Sequence, residues 1–197
     1  GPEDPLNGFP LWIMDQTGLA LQLCLDAANC FFDAPIVGNT FSEAIGFGPE
    51  AFWWLAGATI DPLVGGGRAV LTLGVEAAWA AEVPIDGDQF PFTRLRIRID
   101  TPEAGTYIVT HPYGVDTFEV VDIDAGINVT SDIPLPAPTF GVSHASRIGN
   151  FLIGDTTADI PARLIGNQGL TTVTGSNCDT PGRSEERRVG KECRSRW

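Results

Sequence analysis

Strict alternation over one short segment constrains the fold more than any other feature of this chain. Residues 94–100 read RLRIRID, with arginines and aliphatic residues at alternate positions. Side chains of a β-strand point to opposite faces in turn, so this segment predicts a half-buried strand. The residues expected to face a core are Leu95, Ile97 and Ile99, and those expected on the other face are Arg94, Arg96 and Arg98. These arginines bind either an anionic partner or, as we favour, carboxylates on neighbouring strands.

The rest of the chain also predicts strands. Short alternating or β-branched segments recur between 23 glycines and 15 prolines spread along the sequence. This pattern favours an all-β fold over a helical or α/β fold. We predict a β-sandwich, immunoglobulin-like or jelly-roll-like, with short helical turns. The predicted strands are 11–15, 19–25, 51–60, 68–80, 94–100, 106–110, 116–122, 127–130 and 171–174. A short helix is predicted over residues 39–45, with Ser42 as a cap.

Length and composition predict one domain over residues 1–175. The proline-rich segment at 134–138 is a candidate internal boundary, because PLPAP favours an extended connector. Residues 176–197 are predicted to be a disordered tail. A hydrophobic content of 43% excludes a disordered chain as a whole. No segment reaches the roughly 18 apolar residues of a membrane helix, so no membrane insertion is expected.

The charge balance bears on partners. The chain carries 25 Asp and Glu against 12 Lys and Arg, a net charge of −13. A surface this acidic repels phosphate backbones and anionic lipids, so no nucleic-acid partner is expected. Solubility is the simplest interpretation of the acidity.

Two of the four cysteines lie close together. Cys24 and Cys30 are six residues apart in CLDAANC and are predicted to form a disulfide that pins a strand to the following loop. A zinc pair is disfavoured, because no second Cys/His pair lies at ligand spacing. Disulfides persist in oxidising compartments, which favours an extracellular protein. No partner for Cys178 is identified.

A calcium site is the one candidate for a bound cofactor. Asp122, Asp124 and Asn128 place oxygen ligands near the flexible Gly126, as Ca²⁺ requires. The arrangement departs from the EF-hand loop, where a glutamate closes the site. An ordinary polar turn between strands is the favoured alternative.

No complete catalytic constellation is identified. The histidines are His111 and His144, and a triad of Ser143, His111 and Asp116 lacks the glycine pattern of a nucleophile elbow. We therefore predict that the protein is not an enzyme. Apart from the C-terminal Trp197, the tryptophans are Trp12, Trp53, Trp54 and Trp79. They form either a sugar-binding platform or, as we favour, part of the core.

Five stretches of the chain carry resemblances to extracellular proteins of two kinds. Residues 103–109 (EAGTYIV) resemble the late strand of immunoglobulin-like bacterial extracellular modules, which implies that the Tyr107 hydroxyl ties a corner. Residues 8–26, 50–54, 87–99 and 111–118 resemble a group of uncharacterised secreted bacterial proteins. That group implies no particular activity. It implies a module of a larger, multidomain extracellular protein.

The last residues resemble something other than a protein. Residues 183–197 (RSEERRVGKECRSRW) resemble the conceptual translation of a sequencing adapter at every position. Without them, 6 basic residues face 22 acidic ones, a net charge of −16. This resemblance implies an artefactual tail. Because the chain opens on Gly1, it is also expected to be a fragment whose signal peptide is missing.

These observations predict a non-catalytic, extracellular structural or adhesion module of a secreted or cell-surface protein. The alternative is a carbohydrate-binding accessory module. The expected partners are neighbouring domains of a larger chain, or a glycan.

Overall fold

A computed structural model of the chain describes residues 1–16, 18–28, 30–135, 146–149, 151, 163–167 and 170–174, the last two ranges as backbone only. Within these residues the fold is all-β, as predicted, with antiparallel strand pairing throughout. The sandwich arrangement stays a prediction. Several predictions concern residues outside the described ones: Ser143, His144, Cys178, residues 136–138 of the candidate boundary, and the tail from residue 176.

The described strands form one four-stranded sheet and three hairpins. The four-stranded sheet has the order β3-β4-β5-β8, and the hairpins are β1–β2, β6–β7 and β9–β10. The elements are β1 (Trp12–Met14), β2 (Ala20–Gln22), α1 (Thr40–Ile45), β3 (Ala51–Ile60), β4 (Ala69–Ala77), β5 (Phe92–Ile99), β6 (Gly105–His111), β7 (Gly114–Val120), β8 (Ile127–Pro134), β9 (Arg163–Asn167) and β10 (Leu170–Thr174). Strand β9 has no counterpart among the predicted strands.

One face of the four-stranded sheet is the core. The aliphatic residues of β5 are buried, which confirms the alternation predicted for this strand. Leu95 lies opposite Leu73, and Ile97 lies opposite Leu71. Side chains from both the β1–β2 and the β6–β7 hairpins belong to the same hydrophobic cluster. The hairpin residues of this cluster are Ile13, Leu21 and Val120, and the partly buried Tyr107, Val109 and Phe118 pack against it.

A β-bulge in β3 explains how two adjacent tryptophans are both buried. Phe52 pairs with Glu76 and Trp54 with Val75, so Trp53 has no opposite residue. An extra residue disrupts the alternation of faces. Trp53 and Trp54 are therefore 4% and 6% exposed, although adjacent residues of a regular strand point to opposite faces.

The cap predicted for the helix is wrong. Asn39 is the N-cap of α1, and its side-chain oxygen accepts from the backbone N–H groups of Phe41 and Ser42. Ser42 lies inside the helix and is fully buried. Its hydroxyl donates to the Phe47 carbonyl and accepts from the Ile36 N–H. Both residue types favour N-caps, so the sequence leaves the choice to tertiary contacts.

The strand ends also differ from the predictions. The β1–β2 hairpin is shorter than predicted, and Leu25, expected on its buried face, is exposed. Strand β8 extends to Pro134, well beyond the predicted end at residue 130. Leu135, inside the candidate boundary segment, is buried in the core, and its N–H donates to the Pro91 carbonyl. The start of that segment therefore belongs to the same hydrophobic core.

Two local contacts match the sequence predictions. Cys24 and Cys30 form a disulfide with Cα atoms 5.8 Å apart. The bridge lies just after β2, where Cys24 pairs with Phe52 of β3. The Tyr107 hydroxyl donates to the Glu103 carbonyl at 2.7 Å, four residues upstream. Such a contact ties the entry of β6 to the loop before it.

Candidate functional site

The face of the four-stranded sheet opposite the core carries the arginines of β5. We call this surface, formed by alternate residues of the four strands, the arginine face. Each arginine lies in a row that crosses the sheet. The rows from β3 to β8 are Leu55–Gly74–Arg94–Asp132, Gly57–Thr72–Arg96–Thr130 and Thr59–Val70–Arg98–Asn128.

Arg94 is held by three carboxylates. Its Nε and Nη2 donate to Asp132 at 2.9 and 2.8 Å. Its Nη1 lies 2.9 Å from Glu76 Oε2 and 3.6 Å from Glu50 Oε1. Burial lowers the pKa of Arg94, but the bond to Asp132 and the nearby carboxylates outweigh it and raise the pKa overall. The predicted pairing with an acidic residue on a neighbouring strand is confirmed for this arginine.

Glu76 is the buried member of this acidic cluster. The residue is 1% exposed, and no donor in the described part of the chain reaches its Oε2 with hydrogen-bond geometry. Burial raises the pKa of Glu76 to about 8. Arg94 opposes this shift, while Glu50 and Asp132 add to it. Because Arg94 binds Asp132 in a bidentate manner, its charge is shared and only partly offsets the effect of burial on Glu76.

Arg96 and Arg98 bind neutral groups instead. Arg96 Nε donates to Thr130 Oγ1 at 3.0 Å, and Arg98 Nε contacts Asn128 Oδ1 at 3.3 Å. Among the described residues, no carboxylate forms an ion pair with either guanidinium. The predicted pairing with Asp or Glu is therefore wrong for these two arginines within the described structure.

The charge of Arg96 is only partly compensated. Burial lowers the pKa of Arg96, the positive charges of Arg94 and Arg98 lower it further, and together these effects outweigh the opposing effect of Asp132 and Glu76. A guanidinium presents its donors in a planar fork that matches a carboxylate. The Arg96 and Arg98 end of the arginine face is thus equipped to receive an anion.

A second polar cluster joins the β6–β7 hairpin to Arg147. His111 Nε2 lies 2.8 Å from Asp116 Oδ2, and Arg147 Nη1 donates to both oxygens of Asp116 at 2.9 and 3.0 Å. The Tyr113 N–H donates to His111 Nδ1 at 3.2 Å. Arg147 Nη2 lies 3.0 Å from the same Nε2. Since Nδ1 accepts from a backbone N–H, we assign the ring proton to Nε2, which donates to Asp116, so the approach of Arg147 Nη2 to Nε2 is a contact and not a hydrogen bond.

The contacts of this cluster connect two parts of the chain. The His111 side chain is fully buried and has no surface on which a substrate could lie. Beside Arg147, Ile148 and Phe151 are buried in the core, and the Phe151 N–H donates to Asp15. The His–Asp pair considered as part of a triad is therefore present, but it fastens a chain segment to the hairpin.

The calcium candidates lie on an exposed turn and at the start of β8. Asp122 Oδ1 accepts from the Asp124 N–H at 3.0 Å, and Asn128 Oδ1 is in contact with Arg98. Gly126 has a φ of 57°, and a side chain there would clash with the Ile99 carbonyl. No group of three or more His, Cys, Asp or Glu side chains suited to a metal ion occurs among the described residues. The side-chain oxygen of Asn128 is thus already in contact with the positively charged guanidinium of Arg98.

Three of the four tryptophans, Trp53, Trp54 and Trp79, are buried in the core, whereas Trp12 of β1 is partly buried. Trp53 and Trp79 are buried, and their indole N–H groups donate to the carbonyls of Pro10 and Gly48. Trp54 stacks on Phe151 at 5.8 Å. Among the described aromatic residues, Phe31 and Phe90 are exposed, which the sequence pattern did not predict. The buried indoles have no free face for a sugar ring.

Comparison with known proteins finds no matching family model, no significantly similar curated protein and no significantly similar solved structure. Within the described residues, no helix has the length and apolarity needed to cross a membrane.

Replacing Glu76 with glutamine is expected to remove one pH-dependent cost of folding. The ordinary pKa of 4.5 rises to about 8 in the folded state, so the folded protein binds a proton that the unfolded chain has lost. This group therefore contributes full stability below about pH 4.5, and the contribution falls as pH rises toward 8. The slope is at most about 1.4 kcal/mol per pH unit.

Urea unfolding across this pH range measures the effect as the difference between Glu76→Gln and wild type. We expect the relative stability of Glu76→Gln to increase steadily with pH and to level off above about pH 8. Glu103→Gln, which neutralises an exposed carboxyl outside the cluster, is the matched control. Parallel profiles of Glu76→Gln and wild type would show that Glu76 titrates normally.

Asp116→Asn is expected to weaken the attachment of Arg147 and its described neighbours to the β6–β7 hairpin. Burial raises the pKa of Asp116, but the bonds from His111 and Arg147 outweigh it and lower the pKa below 3.8. The carboxylate therefore stabilises the fold above the ordinary pKa, and this contribution is lost as pH falls through the folded-state pKa. We expect a loss of about 2 kcal/mol at neutral pH, as for hydrogen bonds to charged groups.

Thermal unfolding compares this variant with Asp86→Asn, an exposed control. The difference between Asp116→Asn and wild type should shrink at low pH, where the wild-type carboxylate also becomes protonated. A difference that is absent at neutral pH, or constant down to pH 2, would contradict the proposed contribution of this carboxylate.

Proposed function

We propose that this chain is a non-catalytic structural or adhesion module of a larger secreted or cell-surface protein. The observation that carries the proposal is the arginine face. It is a regular sheet surface opposite the core, and two of its arginines contact only neutral groups among the described residues. A surface of this kind suits contact with an anionic partner.

The disulfide supports the extracellular part of the proposal. Cys24 and Cys30 are bridged, and such bridges persist in oxidising compartments. The exposed Phe31 follows the bridged Cys30 and packs on Phe52 of β3 at a ring distance of 5.9 Å. The bridge and this ring contact both lie beside strand β3.

The polar clusters support the non-catalytic part. His111 and Asp116 are engaged with Arg147, and the His111 ring is buried. Glu76 has the raised pKa that general acids need, but it is enclosed beneath the sheet face. A catalytic group must reach its substrate, and neither of these groups has that access.

Adhesion is tested with polymer beads that carry the chain. The surfaces are carboxymethyl-dextran and neutral dextran, and beads carrying albumin, another acidic protein, are the control. We expect beads with the chain to be retained more strongly than albumin beads on carboxymethyl-dextran at physiological salt. The net charge of −13 alone predicts repulsion from this surface, so retention requires a local binding site. Retention equal to albumin on both surfaces would contradict an adhesive function.

A further inference from the structure

The arginine face has two halves of opposite charge. Arg94 is surrounded by Asp132, Glu76 and Glu50, so acidic groups outnumber basic ones at that end. Toward the other end, Arg96 and Arg98 have no carboxylate within ion-pair distance among the described residues. Asp100 follows at the end of β5 and forms no ion pair with Arg98. An anion on this face is therefore repelled from the Arg94 end and attracted to the other.

The two guanidinium groups are fixed in position by the neighbouring strand. Each uses its Nε toward a side-chain oxygen of β8, Thr130 Oγ1 for Arg96 and Asn128 Oδ1 for Arg98. The terminal Nη1 and Nη2 atoms make no hydrogen bond to any described residue. Since alternate residues of a strand lie roughly 7 Å apart, the two sets of donors can contact neighbouring groups of one ligand. Fixing the guanidinium groups in advance lowers the entropy cost of binding.

Short side chains lie beside these arginines on the same face. The row of Arg96 continues through Thr72 of β4 and Gly57 of β3, and the row of Arg98 continues through Val70 of β4 and Thr59 of β3. These side chains are short, so they leave a shallow surface next to the long arginines. The threonine hydroxyls can donate to or accept from the hydroxyls of a sugar ring lying on that surface.

The overall charge selects between anionic ligands. A net charge of −13 disfavours a ligand with a dense row of charges, such as a nucleic acid, because most of the surface repels it. A glycan with isolated carboxylates meets less repulsion and provides hydroxyls for the threonines. A planar carboxylate also matches the fork of a guanidinium.

We infer that Arg96 and Arg98 bind the carboxylate of a uronic acid in a glycan, with the sugar ring lying over Gly57, Thr59 and Thr72. The inference rests on the proposed adhesion function and names the ligand class of the same face. The carboxylate accepts hydrogen bonds from the terminal guanidinium nitrogens. No covalent step is involved.

Isothermal titration with a short oligogalacturonate tests the inference on the full chain. We expect wild type to bind, and the double variant Arg96→Ala/Arg98→Ala to bind at least 10-fold more weakly, because two charged hydrogen-bonding groups are lost. The double lysine variant keeps both charges but loses the planar fork, so its affinity should also fall. The fully methyl-esterified oligogalacturonate, which has the same rings without charge, should not bind wild type measurably.

Arg68→Ala is the matched control. Arg68 is an exposed arginine just before β4 that pairs with Asp61, so its loss removes a nearby positive charge without removing either guanidinium of the site. We expect its affinity for oligogalacturonate to change less than 2-fold. Circular dichroism melting of all variants confirms that they are folded.

Several outcomes would overturn the inference. They are no binding by wild type, equal binding by the double alanine variant, equal binding of the methyl ester, or tighter binding of an oligothymidylate than of oligogalacturonate. If the beads adhere to carboxymethyl-dextran while oligogalacturonate does not bind, the adhesion function stands and the ligand class is wrong. If neither binds, both proposals fail.

Discussion

Burial of one face of strand β5 determines the arrangement of the rest of the sheet. Leu95, Ile97 and Ile99 are buried in the core, and the side chains between them are arginines. A slip of one residue in the pairing with β4 would move the arginines into the core and the aliphatic residues to the surface. Burying unpaired charges is costly, so the alternation specifies a single register. The arginine face is a consequence of that register.

Near Arg94 and Glu76, the face of the sheet opposite the core is itself partly buried. The row of Phe52, Glu76 and Phe92 lies at the end of the arginine face, yet all three residues are buried. Arg94 connects this row to the surface through Asp132, and its guanidinium lies 4.8 Å from the centre of the Phe92 ring. Its charge is therefore used within the protein, while those of Arg96 and Arg98 stay available to a ligand.

Local patterns in the sequence predicted much of this fold. The all-β class, the two faces of β5, the bounds of β3 and the cysteine pair all follow from spacing and residue type. The bulge at Trp53 did not, because adjacent aromatic residues do not reveal which of them lacks an opposite partner. The N-cap was assigned to Ser42 and not to Asn39, because the buried contacts that hold Ser42 inside the helix come from residues outside it.

The sequence predicted which residues form the candidate site but not the partner of each arginine. Alternation places three arginines on one face, but the acceptor beside each depends on the register between β5 and β8. That register puts Asp132 opposite Arg94 and leaves Thr130 and Asn128 opposite the other two. The partnership of Arg147 with Asp116 spans 31 residues and has no local signal at all. Partners distant in sequence require the fold to be known.

Arginine-selective modification with phenylglyoxal tests the central claim most directly. The chain is treated under native conditions and cleaved, and modification of each arginine is quantified by mass spectrometry. Arg94, held by Asp132 and Glu76, is predicted to react slowly, whereas Arg96 and Arg98 are predicted to react fast and to be protected by oligogalacturonate. Equal reactivity of the three arginines, or slow reaction of Arg96 and Arg98 without ligand, would contradict this account of the arginine face.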